Sequence, residues 1–336
     1  MSKLPTRILG KTGLEVSAVG FGGIPIMRHD HETAVAIVTT ALDAGVTFID
    51  TAIGYGDSHT KIGAAIQGRR EGLILATKSG AATKADMHRD IDIALRDLGV
   101  DSIDIFQLHG VGAESWKTIR AEGGALEALI EAKAAGKIDH IGYTSHDVEV
   151  AVGMAREPIF ETVQFPFNLV AHEPADELIP IAREMNLGFI VMKPMCGGQF
   201  DDAELAFKFL NGYPDLVAIP GIENGAEIEE IAHIVASEET LTGDDLTRAQ
   251  EIIDRLGKVF CRRCGYCQPC PEGIGITTAL VFSGLARRFT IDGCRGIAQS
   301  ILDNAPKCTE CGACIEKCPY DLPVPDLMKE VHEMLE

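Results

Sequence analysis

Two hydrophobic periods alternate along the first 255 residues. Short apolar runs, most of them rich in β-branched residues, fall at Val16–Phe21, Thr47–Asp50, Leu73–Lys78, Ile103–Leu108, His140–Tyr143, Thr162–Gln164, Phe189–Met192 and Val217–Ile219. Such runs suit strands buried on both faces. Between them lie segments with helical spacing: Glu32–Ala44, Thr60–Ile66, Lys84–Leu98, Ala125–Ala135, Ala175–Met185 and Ala226–Ala236. Each keeps its apolar residues to one stripe. One strand and one helix recur about every 25–30 residues, and eight such units in about 250 residues predict an α/β fold, a (β/α)8 TIM barrel. The alternative is an open doubly wound sheet, which carries G-x-G-x-x-G after its first strand. Gly20, Gly22 and Gly23 do not form that fingerprint, so the barrel is preferred. A further amphipathic helix is expected at Thr242–Gly257, with Asp244 and Asp245 in its first turn and Ile252, Ile253 and Leu256 on its apolar face.

Composition narrows the function classes. Of 336 residues, 46% are hydrophobic and 24% charged, which is a globular balance. Lys+Arg 30 against Asp+Glu 50 gives a net charge of −20. A chain this acidic repels phosphate backbones and anionic lipid, so neither nucleic acid nor a membrane surface is an expected partner. No apolar run approaches the ~20 residues of a membrane helix. Met1–Gly10 lacks an apolar signal core, so a cytoplasmic location is expected. In a reducing compartment the ten cysteines read as metal ligands rather than disulfides.

Eight of those cysteines form two runs. Cys261, Cys264, Cys267 and Cys270 read C-x2-C-x2-C-x2-C before Pro271. Cys308, Cys311, Cys314 and Cys318 read C-x2-C-x2-C-x3-C before Pro319. The composition shift marks a boundary near residue 258, giving a barrel over 1–257 and a small cysteine-bearing domain over 258–336. The second run has the bacterial ferredoxin spacing, in which three close thiolates cup one [4Fe–4S] cube and the fourth reaches another. The first run is one residue short of that spacing before its last cysteine. A pair of four-cysteine zinc sites is the alternative. Helix-like stretches at Thr277–Arg288 and Arg295–Asn304 predict a mostly helical module. Cys196 and Cys294 read as small apolar fillers.

Chemistry in a TIM barrel gathers at the C-terminal ends of its strands. Those ends offer Asp50, Lys78 and His109, with Tyr55 in the loop after the second strand. A lysine held charged by an aspartate lowers a nearby phenol's pKa from its ordinary value of about 10. A histidine beside them can hydrogen-bond a carbonyl oxygen. Trp116, Tyr143 and Phe167 are candidate pocket walls, although a packing role suits each of them better.

The segments LPTRILGKTGLEVSAVGFGG, FIDTAIGYGDS, LATKSG, FQLHG, KIDHIGYTSHD and VQFPFNLV, in this order, resemble the aldo-keto reductase family. The whole chain resembles the subgroup with a C-terminal ferredoxin-type domain. The resemblance implies a (β/α)8 barrel, a nicotinamide cofactor bound without a Rossmann domain, and a small carbonyl or alcohol substrate. It places Tyr55 as general acid, Lys78 as its tuner, Asp50 as the partner of Lys78, and His109 as the carbonyl-orienting group. It implies cofactor contacts at Gly22, Gly23, Thr144, Ser145, Gln164, Met192, Pro220 and Gly221. Relatives that select NADP place cations and hydroxyls after the eighth strand. Here Gly221, Glu223 and Glu227 stand there instead, which leans toward NADH over NADPH. Ferredoxin ligand-swap logic assigns Cys261, Cys264, Cys267 and Cys318 to one [4Fe–4S] cluster, and Cys308, Cys311, Cys314 and Cys270 to the other.

Electron counting sets the open question. Nicotinamide moves two electrons as hydride, whereas a [4Fe–4S] cluster moves one. A flavin is possible but no motif indicates one. Three readings follow: a carbonyl reductase whose clusters exchange electrons with an external one-electron carrier, an ordinary reductase with structural clusters, or a non-catalytic electron-transfer or complex subunit.

Overall fold

A computed structural model describes residues 4–282, 284, 286 and 294–336. The chain forms two compact units, Met1–Leu241 and Thr242–Glu336. The first is the expected barrel. Its eight parallel strands are β3 (Phe21–Gly22), β4 (Phe48–Asp50), β5 (Ile74–Ser79), β6 (Ile103–Leu108), β7 (Ile138–Thr144), β8 (Thr162–Pro166), β9 (Gly188–Met192) and β10 (Leu216–Ile219), and they neighbour one another in chain order. Bridges from Val19 to Ala218 and from Gly22 to Gly221 close the ring. Gly22 is needed there, because a Cβ at this position would lie 2.6 Å from the Pro220 carbonyl oxygen. Phe48, Ala76, Ile105, Ile190 and Val217 pack inside together with Leu9 and Val16.

The first expected strand, Val16–Phe21, is two elements. Val16 belongs to β2 (Glu15–Ser17), which pairs antiparallel with β1 (Thr6–Ile8), while Phe21 starts the barrel. The break falls at Ser17, whose hydroxyl donates to the Val19 carbonyl at 2.7 Å and accepts from the Thr47 amide at 2.9 Å. A side chain bonding its own backbone two residues on diverts the ladder.

Helices fill the connections. Asp30 caps α1 (His31–Asp43), and α2 (Ser58–Ile66) follows β4. Thr83 opens and left-handed Gly99 closes α3 (Lys84–Leu98). Short helices α4 (Ala113–Ile119), α6 (Val148–Ala155) and α8 (Ala203–Asn211) were not expected from the periodicity, unlike α5 (Ala125–Ala134). Asp147 and Asp202 cap two of them by accepting from Val150 and Leu205. The expected Ala175–Met185 helix divides into a 3-10 turn at Glu173–Ala175 and α7 (Leu178–Glu184), and α9 (Gly225–Ser237) follows β10.

The second unit is mostly helical, as expected. It contains α10 (Gly243–Gly257), α11 (Ile276–Leu280), α12 (Arg295–Asn304), α13 (Ala313–Glu316) and α14 (Val324–Leu335). Part of the expected Thr277–Arg288 helix, at 283, 285, 287 and 288, lies outside the described residues. Ile274, Ile276, Phe282, Leu322, Val324 and Met328 form its core, with Cys294 buried among them. No helix among the described residues is long and apolar enough to cross a membrane.

Candidate active site and cysteine centre

The barrel brings Asp50 and Lys78 together at the carboxyl ends of adjacent strands β4 and β5. Both are almost wholly buried, at 2% and 1% exposure. Lys78 Nζ donates to Asp50 Oδ1 at 2.5 Å and to the Thr51 carbonyl at 2.7 Å. Burial pushes the Asp50 carboxyl up and the Lys78 ammonium down, and their contact pulls both back. The second carboxylate oxygen, Oδ2, accepts from Gln107 Nε2 at 3.3 Å. Gln107 also donates to Gln164 Oε1 at 3.0 Å. This buried amide was not singled out in the sequence. It sits one strand residue before Leu108 on β6, and a polar residue next to the strand's carboxyl end was its only signal.

Tyr55 is carried by the turn after β4. Its amide bonds the Ala52 carbonyl at 3.0 Å, and its carbonyl accepts from Ser58 at 3.0 Å. Gly56 supplies the left-handed step (φ 52°) that turns the chain into α2. Lys61, buried on α2, holds this turn from below. It pairs with Asp57 at 2.7 Å and donates to the carbonyls of Ile26 and His29 at 3.1 and 2.8 Å. The Tyr55 ring centre lies 5.2 Å from Lys78 Nζ and 5.8 Å from the His109 ring, which meets it edge-on at 82°. Asp50, Tyr55, Lys78 and His109 therefore share one locus. On the far side of β5, His59 Nε2 meets Thr77 Oγ1 at 2.8 Å, and burial holds this imidazole down to about 4.

The expected cofactor contacts are distributed around the same rim. The Thr144 hydroxyl accepts from the Gly110 amide at 2.7 Å, and the Ser145 hydroxyl donates to the Val111 carbonyl at 2.7 Å. Both tie the loop after β6 to the end of β7. Gln164 is held by Gln107, and Met192 ends β9 half-buried. Gly23 sits against Ser58 and the Asp50 carbonyl. Gly221 packs on Pro25, next to Pro220 at the barrel seam. Beyond it, Glu223 pairs with Arg28 and its amide donates to Glu227 at 2.7 Å. Tyr143 and Phe167 serve packing: Tyr143 is buried against Phe160 with its hydroxyl on the Ala151 carbonyl, and Phe167 packs on Phe209 and Tyr213. Cys196 is a buried filler donating to Asn168 Oδ1 at 3.2 Å.

In the second unit the thiols fall into two groups. Burial pushes Cys261 and Cys267 up, Cys267 to about 11, and the thiolates of Cys264 and Cys318 add to the shift. Cys314 is raised by burial, then by Cys308 and Cys311. One cavity is lined by Cys267, Cys270, Cys308, Cys311 and Cys314. Thiols that face one another across a cavity, and that would otherwise repel as anions, suit a cationic iron core.

Comparison with known proteins identifies both parts of the chain. Residues 18–209 match the family model of the aldo/keto reductase family, and residues 260–323 match that of the 4Fe-4S dicluster domain. Aldo-keto reductase YhdN of Bacillus subtilis is 29% identical over 211 residues, 56% of this chain and 62% of YhdN, so the match spans less than two thirds of that relative. The uncharacterized oxidoreductase YqkF of the same organism is 28% identical over 226 residues, 62% of this chain and 71% of YqkF. An aldo-keto reductase from Klebsiella pneumoniae, solved in complex with NADPH, is 25% identical with a TM-score of 0.65, covering 75% of this chain and 96% of its own. With the reductase match running through more than half of its length, this chain belongs to the aldo/keto reductase family of oxidoreductases and carries a 4Fe-4S dicluster domain after the barrel.

Proposed function

We propose that the barrel reduces a small carbonyl compound, or oxidises the matching alcohol, with Tyr55 as general acid. The observation that carries this reading is the buried Lys78–Asp50 contact at 2.5 Å, with Lys78 Nζ 5.2 Å from the Tyr55 ring centre. Nicotinamide, when bound, supplies or takes up the hydride. Tyr55 delivers its hydroxyl proton to the carbonyl oxygen. Lys78, kept charged by Asp50, favours the phenolate that remains and so brings the phenol's pKa toward neutrality. His109 orients the carbonyl oxygen. Gly22, Gly23, Thr144, Ser145, Gln164, Met192, Pro220 and Gly221 contribute the cofactor's surroundings, Gln164 through its amide and Met192 through its thioether face.

NADH is the proposed partner of choice. Glu223, paired with Arg28, and Glu227 stand beside Gly221, so a 2′-phosphate would meet a net negative charge there. The NADPH complex of the Klebsiella pneumoniae neighbour is a property of that protein.

In the second domain, Cys261, Cys264, Cys267 and Cys318 hold one [4Fe–4S] cluster, and Cys270, Cys308, Cys311 and Cys314 hold another. Cys270, from the first run, shares a cavity with Cys308, Cys311 and Cys314 as the exchange of fourth ligands requires, and Cys267 of the first cluster lines the same cavity. The clusters supply one-electron chemistry when assembled, and an external one-electron carrier is their proposed partner. Two measurements test these readings. Iron analysis should give about eight iron atoms per chain, and about four would contradict two cubes. Anaerobic addition of NADH should bleach the iron–sulfur absorption if the two halves exchange electrons. An unchanged spectrum, with carbonyl reduction intact, would make the clusters structural.

A further inference from the structure

The two Cys-x2-Cys loops that open the runs are built alike and carry opposite charge. In Cys261-Arg262-Arg263-Cys264-Gly265, Arg263 has φ 66° and Gly265 has φ 83°. In Cys308-Thr309-Glu310-Cys311-Gly312, Glu310 has φ 53° and Gly312 has φ 79°. The same two left-handed positions bracket the second cysteine of each run. A residue other than glycine is uncommon in that region. The repeat therefore makes Arg263 and Glu310 equivalent positions of two pseudo-symmetric half-sites.

The surroundings extend the contrast. Arg262 lies with its guanidinium 3.9 Å from the ring centre of Tyr320, two residues beyond Cys318. The first group of thiols thus has two guanidinium-bearing residues within its opening loop. Glu272 and Glu310 line the cavity of the second group. Glu310 pairs with Lys329 at 2.5 Å, so these three residues leave a net single negative charge there. Reducing a [4Fe–4S] cube adds one negative charge. Nearby positive charge favours the reduced form and raises its potential, and negative charge lowers it. Solvent exposure acts against this order, because water also favours the more charged reduced cube. That difference is confined to one residue: Cys311 is exposed, whereas the other seven ligand cysteines are all part-buried. A contrast of fixed charge in the loops themselves outweighs it.

We infer that the cluster held by Cys261, Cys264, Cys267 and Cys318 has the higher reduction potential, raised by Arg262 and Arg263, while Glu272 and Glu310 keep the other cluster low. This rests on the two-cluster reading proposed above. It gives the module a direction. An electron delivered by a one-electron carrier to the second cluster, at exposed Cys311, passes to the first. The second cube is then oxidised by one electron as the first is reduced by one.

The test is an anaerobic redox titration of the full, cluster-loaded chain followed by electron paramagnetic resonance. Two one-electron steps of equal amplitude are expected, separated by at least tenfold in reduction equilibrium, or about 59 mV. Arg263→Asn should lower only the upper step, and Glu310→Asn should raise only the lower one. Asparagine removes the charge while tolerating the left-handed backbone. If Arg263→Asn fails to load its cluster, Arg262→Gln makes the same prediction. Two steps that coincide, an upper step unmoved by the arginine variants, or a lower step moved by them would overturn the inference while leaving two clusters in place. A single step with about four iron atoms per chain would instead overturn the two-cluster reading, and the inference with it.

Discussion

Lys78 donates to Asp50 Oδ1 at 2.5 Å, and neither side chain reaches bulk water. Removing one partner leaves the other's charge buried and uncompensated, which costs about 3–5 kcal/mol. Asp50→Asn and Lys78→Met should each destabilise the barrel by about that amount, and the double variant by clearly less than their sum. Trp116 is the sole tryptophan and lies in the barrel unit, so its fluorescence during urea unfolding reports on this unit. Additive losses would show that the two charges are not coupled.

Gln107 links the acid site to Gln164 through one buried amide. Hydrogen bonds to charged groups contribute roughly 1.5–3 kcal/mol. Gln107→Leu should therefore destabilise the barrel by about 1.5–3 kcal/mol, read from Trp116 fluorescence during urea unfolding, and should also lower kcat. Gln107→Glu should be worse than Gln107→Leu and shift the pH profile of kcat, because it sets a second carboxylate against Asp50. Equal profiles for the two variants would reduce Gln107 to a space-filling role.

His59 sets a pH limit on stability. Its folded pKa of about 4 lies below the ordinary histidine value of about 6.5. A depressed folded pKa gives stability that is fully present above the unfolded value and lost as pH falls through the folded one. The barrel should therefore lose on the order of 3 kcal/mol between about pH 6.5 and pH 4 from this group alone. His59→Gln should flatten that part of the profile. An unchanged slope in the variant would assign the loss to other groups.

Much of this was legible along the chain because strand ends and cysteine spacings are local signals. Asp50, Lys78 and His109 fall at the ends of apolar runs, and the structure brings them beside Tyr55. Three things were not legible. Ser17 breaks the first apolar run through side-chain bonds to Val19 and Thr47, the latter thirty residues away, which no periodicity records. The helices Ala113–Ile119, Val148–Ala155 and Ala203–Asn211 are two turns or slightly more, too short for a stripe to stand out. Gln107 and Lys61 act through contacts with Asp50, Gln164, Ile26 and His29, so their roles exist only once the barrel has closed.

Cofactor choice should respond to charge after β10. Glu227→Arg replaces a carboxylate with a cation at the first turn of α9. It should improve kcat/KM for NADPH relative to NADH by about tenfold or more, as one charge-assisted phosphate contact allows. A wild-type enzyme that already prefers NADPH strongly would contradict the proposed role of Glu223 and Glu227.

The central claim is that Tyr55 gives its proton to a carbonyl oxygen on this barrel. The direct measurement is steady-state reduction of propanal and benzaldehyde with NADH and NADPH by Tyr55→Phe, beside cofactor affinity measured by fluorescence titration. The account predicts that kcat/KM falls about 10²–10⁴-fold, with cofactor affinity and cluster content unchanged. Carbonyl reduction at the rate of the unaltered enzyme would contradict it.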